Sequence, residues 1–302
     1  STLELNCGVP QGSILGPLLF LIYINDIINA SSLFSYILFA DDTNVLCSHP
    51  QFDELIRSVN IELPKLVEWF ACNKLSLNLS KTNYIIFKGP RTQIDDAICD
   101  IVIDNYHLER KLDSKFVGVI IDDNLSWNQH CSYIFSTISK SVGVLYKSKG
   151  LFPTYAMIIL YNSLILPYLF YCNTAWGQTT KKNTDSLLIL QKKALRLCTN
   201  SDYLAHTDPM FNEHRLLKIC DINYYQIAIF MYKFIHNNLP DRFCDMFIRN
   251  NQIHNYSTRS HDDFYVTNPK TIVACKSIRH CGPDIWNSLK KKLYTSYTCV
   301  PV

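Results

Sequence analysis

No C-x-x-C pair occurs among the twelve cysteines, and the two closest, Cys275 and Cys281, stand in a polar stretch. A zinc site built on paired cysteines is therefore poorly supported. Cys72, Cys172, Cys198 and Cys220 fall within apolar helical patterns and read as reduced, buried thiols of an intracellular protein. Membrane-length apolar runs are also missing. The longest, Ala156–Cys172, is interrupted by Asn162, Ser163 and Pro167. Leu18–Ile24 is apolar but has no basic segment before it, so it does not read as a signal peptide. Charge is scarce, with 18% charged residues and a net charge of +3. That balance neither requires nor excludes a nucleic-acid partner, because local clustering of Lys and Arg decides. What is plentiful is apolar surface. The hydrophobic fraction is 48% over 302 residues, enough for two domains and a sizeable core. The first residue is Ser1 and apolar patterning begins almost at once, so the chain is expected to be the later part of a longer protein.

The chain is organised around Tyr36–Leu46, where Asp41 and Asp42 stand between two short apolar runs. Leu33–Ala40 and Thr43–Cys47 are rich in aromatic and branched residues and read as strands. The spacing predicts a β-hairpin with Asp41-Asp42 as its two-residue turn. Neither residue is glycine, and adjacent like charges repel. A pair that accepts both costs suits a cation such as Mg²⁺, which takes oxygen ligands. Three other Asp pairs occur. Asp95-Asp96 and Asp262-Asp263 lie in polar loops, and Asp122-Asp123 ends a strand before a helix start at Ser126–Gln129. Only Asp41-Asp42 is pinned between apolar strands.

Before the hairpin, Gly8–Pro17 is a glycine- and proline-punctuated loop that opens an apolar helix over 17–29. After it, 52–75 carries a helical apolar stripe with Pro64 inside. Leu75–Thr82 leads to a strand at 84–87, and Lys81 on its own reads as a solvated loop lysine. Phe116–Asp122 reads as one strand. From Trp127 the pattern is helical, over 127–149, from Pro153 towards Pro167, over 184–199, and twice within 208–238. Lys140 and Lys147 share a helix face, and Lys192, Lys193 and Arg196 could cradle a phosphate backbone. After Pro240 the chain is expected to be polar and loop-rich, with a basic end at Lys290–Lys292.

Gly8-Val9-Pro10-Gln11-Gly12-Ser13, Gly16-Pro17-Leu18-Leu19-Phe20 and Phe39-Ala40-Asp41-Asp42, in this order and spacing, resemble reverse transcriptases of non-LTR retrotransposons of the jockey and RTE kind. Leu75-Ser76-Leu77-Asn78-Leu79-Ser80-Lys81-Thr82 and Phe116-Val117-Gly118-Val119 resemble further motifs of that family. The resemblance implies an RNA-directed DNA polymerase that extends a DNA primer on an RNA template with deoxynucleoside triphosphates. The implied cofactor is Mg²⁺, with Mn²⁺ as an alternative. Asp41 and Asp42 would ligate the metal, and Lys81 would assist phosphate chemistry. Gly8, Pro10, Gln11, Gly12 and Gly16 would contact template and nucleotide, and Phe116 and Gly118 the primer end. The implied fold is α+β. A truncated palm over 1–121 would be followed by a helical thumb-like region over 122–200 and a helical, loop-rich region over 201–302. The implied setting is the cytoplasm and nucleus, with no membrane partner.

In this family a further metal-binding aspartate stands on a palm strand before the Gly8–Gln11 motif. Two-metal phosphoryl transfer needs carboxylates from both strands. The chain by itself is therefore expected to be inactive. The alternative function is a non-catalytic nucleic-acid-binding or pseudogene remnant.

Overall fold

The computed structural model describes residues 12–89, 92, 94, 99–254, 256 and 259–298. The chain divides into two units, 1–118 and 119–302. Helices and small sheets are mixed, an α+β composition.

In the first unit, α1 (Gly16–Ile24) runs into a 3₁₀ turn at Asn25–Asn29. The hairpin follows as β1 (Ser35–Phe39) and β2 (Asp42–Leu46), antiparallel with Tyr36 opposite Val45 and Leu38 opposite Thr43. Period-two alternation turns Tyr36, Leu38 and Val45 onto a core of Ile24, Ile27, Leu66 and Phe70. The last two come from α2 (Phe52–Cys72), whose acidic first turn, Asp53 and Glu54, favours the positive end of the helix. The helix runs on through Pro64. Pro64 cannot donate to the carbonyl of Asn60. The side chain of Asn60 donates to the Asp100 carbonyl at 2.8 Å and accepts from Val102 N at 3.1 Å. That clips β4 (Val102–Ile103) to α2. Beside it lies a second cluster, Ile56, Ile101, Ile103 and Leu108. β4 pairs with β5 (Tyr106–His107) across Asp104 and Asn105, both left-handed, at φ 46° and 64°. Asp and Asn tolerate that conformation in tight hairpin turns. β3 (Asn83–Tyr84) pairs in parallel with β6 (Glu109–Arg110). β7 covers Asp113–Phe116.

The second unit starts with β8 (Val119–Asp122) and is otherwise helical apart from one isolated bridge, Arg249 to Phe264, among the described residues. α3 (Asn128–Ser148) buries Cys131, Ile134, Ile138, Val142 and Leu145, the three-four spacing of a core-facing helix. α4 (Thr154–Leu164), α5 (Leu166–Phe170) and α6 (Asn173–Trp176) add Met157, Tyr161, Leu169 and Trp176. α7 (Lys181–Cys198) adds Leu187, Leu190, Ala194 and Cys198. Buried Gln191 is fully bonded. Its Nε2 donates to the Tyr161 hydroxyl at 2.8 Å and the Leu217 carbonyl at 2.7 Å, and its Oε1 accepts from Ile219 N at 3.0 Å. That ties α7 to α4 and to the start of α9 (Ile219–Ile235), which follows α8 (Asp208–Glu213). A second network joins α6 to α9. The Asn223 amide donates to the side chain and carbonyl of Asn173, each at 3.0 Å, and Gln178 donates to Asn223 at 2.6 Å.

Two expectations are corrected here. Of the four cysteines expected to be buried, only Cys198 is. Cys72, Cys172 and Cys220 are exposed. They lie on the outer edges of their apolar patterns. The region after Pro240 has short helices α10 (Asn250–Ile253) and α11 (Ile272–Cys275), but it also holds a 21-residue helix, α12 (Ile278–Thr298), that passes through Gly282-Pro283. A Cβ on Gly282 would stand 2.7 Å from Met231 Sδ and 3.3 Å from the Phe247 ring. The glycine is there for close packing on α9, not for a chain break.

His130 sits 3% exposed, in edge contact with the Trp176 ring. Its Nδ1 accepts from Ile120 N at 3.3 Å, and its Nε2 has no partner among the described residues. Burial lowers its pKa to about 4. The unfolded chain, with a His pKa near 6.5, binds more protons between these values, so stability falls as pH drops from about 6.5 to 4. The expected loss is on the order of 3 kcal/mol at most. Urea unfolding at stepped pH checks it, and His130→Gln should flatten that slope.

Candidate functional site

The register moves the acidic turn. The two turn residues are Ala40 and Asp41, while Asp42 is the first residue of β2, opposite Phe39. The expected Asp41-Asp42 turn is thus corrected by one residue. The shift pairs the aromatic Tyr36 with branched Val45, a favourable cross-strand match. It also leaves one carboxylate at the tip and one on the strand, rather than both at the tip. Both are exposed. No ion pair to either is present among the described residues, nor any group of three or more His, Cys, Asp or Glu placed to hold a metal. Carboxylates on two consecutive residues offer the hard oxygen donors that suit Mg²⁺, which keeps waters and takes further oxygens from phosphates. They supply only part of a coordination shell. Under the hairpin, burial and then the nearby Glu62 carboxylate push the Tyr36 hydroxyl above its ordinary range, so it stays neutral there.

Ala40 holds φ at 51°. A positive φ at the first residue of a two-residue hairpin loop favours glycine, and an L side chain there costs about 1–2 kcal/mol. The strain sits next to both carboxylates. Ala40→Gly should raise stability by about 0.5–1 kcal/mol after the entropy glycine adds to the unfolded chain. Equilibrium urea unfolding reads it, and a loss of stability would remove strain from the account.

Lys81 is exposed on a turn organised by Asn78. The Asn78 carbonyl accepts from Lys81 N, Thr82 N and Thr82 Oγ1, each at 3.0 Å, and Asn78 Oδ1 accepts from Ser80 Oγ at 2.8 Å. Leu75 and Leu77 pack in the core that carries the hairpin, while Leu79 packs in the neighbouring one. One apolar framework thus holds both the acidic hairpin and the lysine turn. No hydrogen bond or ion pair joins Lys81 to either carboxylate among the described residues.

Gly8, Pro10 and Gln11 lie outside the described residues. Gly12 has φ 85° with open space around it, and Gly16 begins α1 with its N–H bonded to Ser13 Oγ at 3.1 Å. Around α1, Leu18, Leu19, Leu21 and Ile22 are all exposed and only Ile24 is buried. Phe116 and Gly118 require a correction. Phe116–Asp122 is not one strand, since Val117 at φ 43° and Gly118 at φ 84° turn the chain between β7 and β8. Gly118 is needed for that left-handed backbone.

The other Asp pairs have structural partners or lie outside the described residues. Asp122 is buried, and its carboxylate accepts from Ser126 N at 2.9 Å, Trp127 N at 2.8 Å, Asn124 N at 3.2 Å and Ser126 Oγ at 3.2 Å. It organises the entry to α3. Asp263 is buried and pairs with Lys290 at 3.2 Å. Asp95-Asp96 lies outside the described residues. Of the basic residues expected to cradle phosphate on α7, Arg196 has a partner at its Nε. Arg196 Nε donates to the Ala205 carbonyl at 2.9 Å. Asp208 is held below the usual carboxylate range mainly by its bond to Lys218 at 3.0 Å, with Lys192 adding to the effect.

Residues 1–121 match the sequence profile of the family described as reverse transcriptase (RNA-dependent DNA polymerase). Over 230 residues the chain is 24% identical to the RNA-directed DNA polymerase from mobile element jockey of Drosophila funebris, covering 72% of this chain and 24% of that protein. It is also 24% identical, over 71% of its length, to the probable RNA-directed DNA polymerase from transposon X-element of Drosophila melanogaster. It is 26% identical, over 58% of its length and 44% of the relative, to a Pol polyprotein from type-1 retrotransposable element R1 2 of Nasonia vitripennis. The chain spans about a quarter of the length of the first two relatives. No solved structure matches. No described helix is long and apolar enough to cross a membrane. The motif resemblance is borne out as a likeness: residues 1–121 match the reverse transcriptase family profile, and the chain is similar to RNA-directed DNA polymerases of mobile elements.

Proposed function

We propose that the hairpin and the Lys81 turn are palm elements of an RNA-directed DNA polymerase, and that this chain contributes part of its metal clamp. The observation that carries the reading is the pair Asp41 and Asp42, exposed at the end of a hairpin rooted in a core and paired with no cation among the described residues. These two carboxylates would hold Mg²⁺, or Mn²⁺, which would neutralise phosphate charge as a primer hydroxyl attacks the incoming deoxynucleotide. Lys81, exposed on its hydrogen-bonded turn, would pair with the departing pyrophosphate. Gly12 and Gly16, with Gly8, Pro10 and Gln11, would position template and nucleotide, and Phe116 and Gly118 the primer end. The helices of 122–200 would serve as the thumb-like region, with 201–302 as a continuation. A further carboxylate would come from outside the described residues.

Lys140, Lys147 and Lys149, without an ion pair among the described residues, favour a second reading, nucleic-acid binding without catalysis. Primer extension on an RNA template decides between them. The 302-residue chain is assayed alone and grafted in place of the matching segment of the jockey polymerase. The chain alone should stay silent and the chimera should extend the primer. Extension by the chain alone that Asp41→Ala abolishes would overturn the partial clamp. A folded but silent chimera would leave binding without catalysis.

A further inference from the structure

From Asn124 to Thr184 the sequence holds no Asp and no Glu, yet it holds Lys140, Lys147, Lys149, Lys181 and Lys182. The whole-chain charge of +3 conceals this local imbalance. Lys147 and Lys149 lie where α3 ends, and Lys140 stands two turns earlier on the same helix. Lys140 and Lys147 lie seven residues apart on the outward face of α3, about 10 Å along its axis. Lys149 follows the last turn, and Gly150, at φ 80°, reverses the chain. None of the three makes an ion pair among the described residues.

The same corner exposes rings that the core does not use. Tyr146 is 68% exposed, Phe152 51% and Tyr155 72%, with Leu151 at 73% between them. The buried stripe of α3 ends at Leu145, and α4 buries Met157 and Tyr161 on the opposite face. Helix-end electrostatics explains a lysine near a C-terminus. It does not explain three uncovered rings, one between Lys140 and Lys147 and two just beyond Lys149 in sequence.

We propose that the α3–α4 corner binds single-stranded nucleic acid, with Tyr146, Phe152 and Tyr155 stacking on unpaired bases and Lys140, Lys147 and Lys149 facing phosphates. Bases offer a flat face to a ring whatever the sequence, and lysines track the backbone between them. An anionic membrane would instead favour one continuous apolar helix face, whereas these rings come from two helices and the turn joining them. The grip belongs to the second unit and the acidic hairpin to the first, and the grip does not depend on the hairpin's catalytic reading.

The test is anisotropy of a labelled oligouridylate of about 16 nucleotides with the full chain, in EDTA, over about 50–200 mM salt. Replacing Tyr146, Phe152 and Tyr155 together by Ala should weaken binding at least about tenfold. Lys140→Gln, Lys147→Gln and Lys149→Gln together should reduce the salt slope by about two. Circular dichroism confirms the fold of each variant. If the ring variant does not fold, the lysine set decides alone. Unchanged affinity and salt slope in folded variants, equal binding of a matched duplex, or binding to phosphatidylserine vesicles but not to the oligonucleotide would overturn the proposal.

Discussion

Asp41→Asn in the jockey-type chimera is expected to reduce primer extension by about three orders of magnitude or more. Asparagine has nearly the same shape and keeps one oxygen but carries no charge. Metal-assisted phosphoryl transfer draws several kcal/mol of transition-state stabilisation from charge neutralisation, and about 1.4 kcal/mol is tenfold in rate. The substitution should leave stability within about 0.5 kcal/mol, because Asp41 is exposed and makes no ion pair among the described residues. Rate and stability are then separated in one variant. Steady-state extension and urea unfolding on the same preparation read both. A rate within tenfold of the parent would sink the assignment of Asp41 to the metal.

Gly177→Ala is expected to be the most damaging small substitution in the helical unit. Its φ of −65° suits any residue, so the backbone is not the reason. Space is. A Cβ would stand 2.2 Å from Asn223 Nδ2, 2.4 Å from Asn173 Oδ1 and 2.6 Å from the Asn173 carbonyl. The carbonyl is backbone and cannot swing aside, and displacing Asn223 breaks the buried bonds that join α6 to α9. Overpacking costs about 1–3 kcal/mol, and each buried polar group left without a partner adds about 1–3. A loss of about 4 kcal/mol follows, roughly 10 °C in Tm for a unit of this size. Gly143 is the control. Nothing lies within 4 Å of its added Cβ, and it sits inside α3, so Gly143→Ala should be neutral or stabilise by up to about 1 kcal/mol. Similar Tm values for the two variants would show that the Asn173–Asn223 contact is not tightly packed.

The helices of the second unit were legible because their core stripes are long and regular, as in Ile134–Ile138–Val142–Leu145. The hairpin was legible as a hairpin, yet its turn was misplaced by one residue. Glycine-based turn rules do not anticipate an alanine taking the left-handed position. Gly282-Pro283, in the region expected to be loop-rich, stands inside α12. Both residues punctuate loops in isolation, but close packing against Met231 and Phe247 requires the glycine within a helix. Phe116–Asp122 looked continuous because its residues favour strands, and the left-handed Val117 and Gly118 that turn it carry no strong breaker signal. The Asp104-Asn105 turn was missed although its residue types announce it. At the site, residue types indicated Asp41 and Asp42. That Leu75 and Leu77 share the hairpin core is a tertiary fact with no short-range signal.

The cysteines supply a built-in clock for opening of the fold. Cys72, Cys172, Cys220 and Cys244 are exposed and will react with a thiol reagent at once. Cys131 and Cys198 are 3% and 2% exposed, and burial pushes the Cys198 thiol up to about 12. They can react only when the helical unit opens, because the thiolate is the nucleophile. Cys99, 9% exposed, reports on the first unit in the same way. The slow phases of one labelling experiment therefore time the breathing of each unit separately, without an added probe.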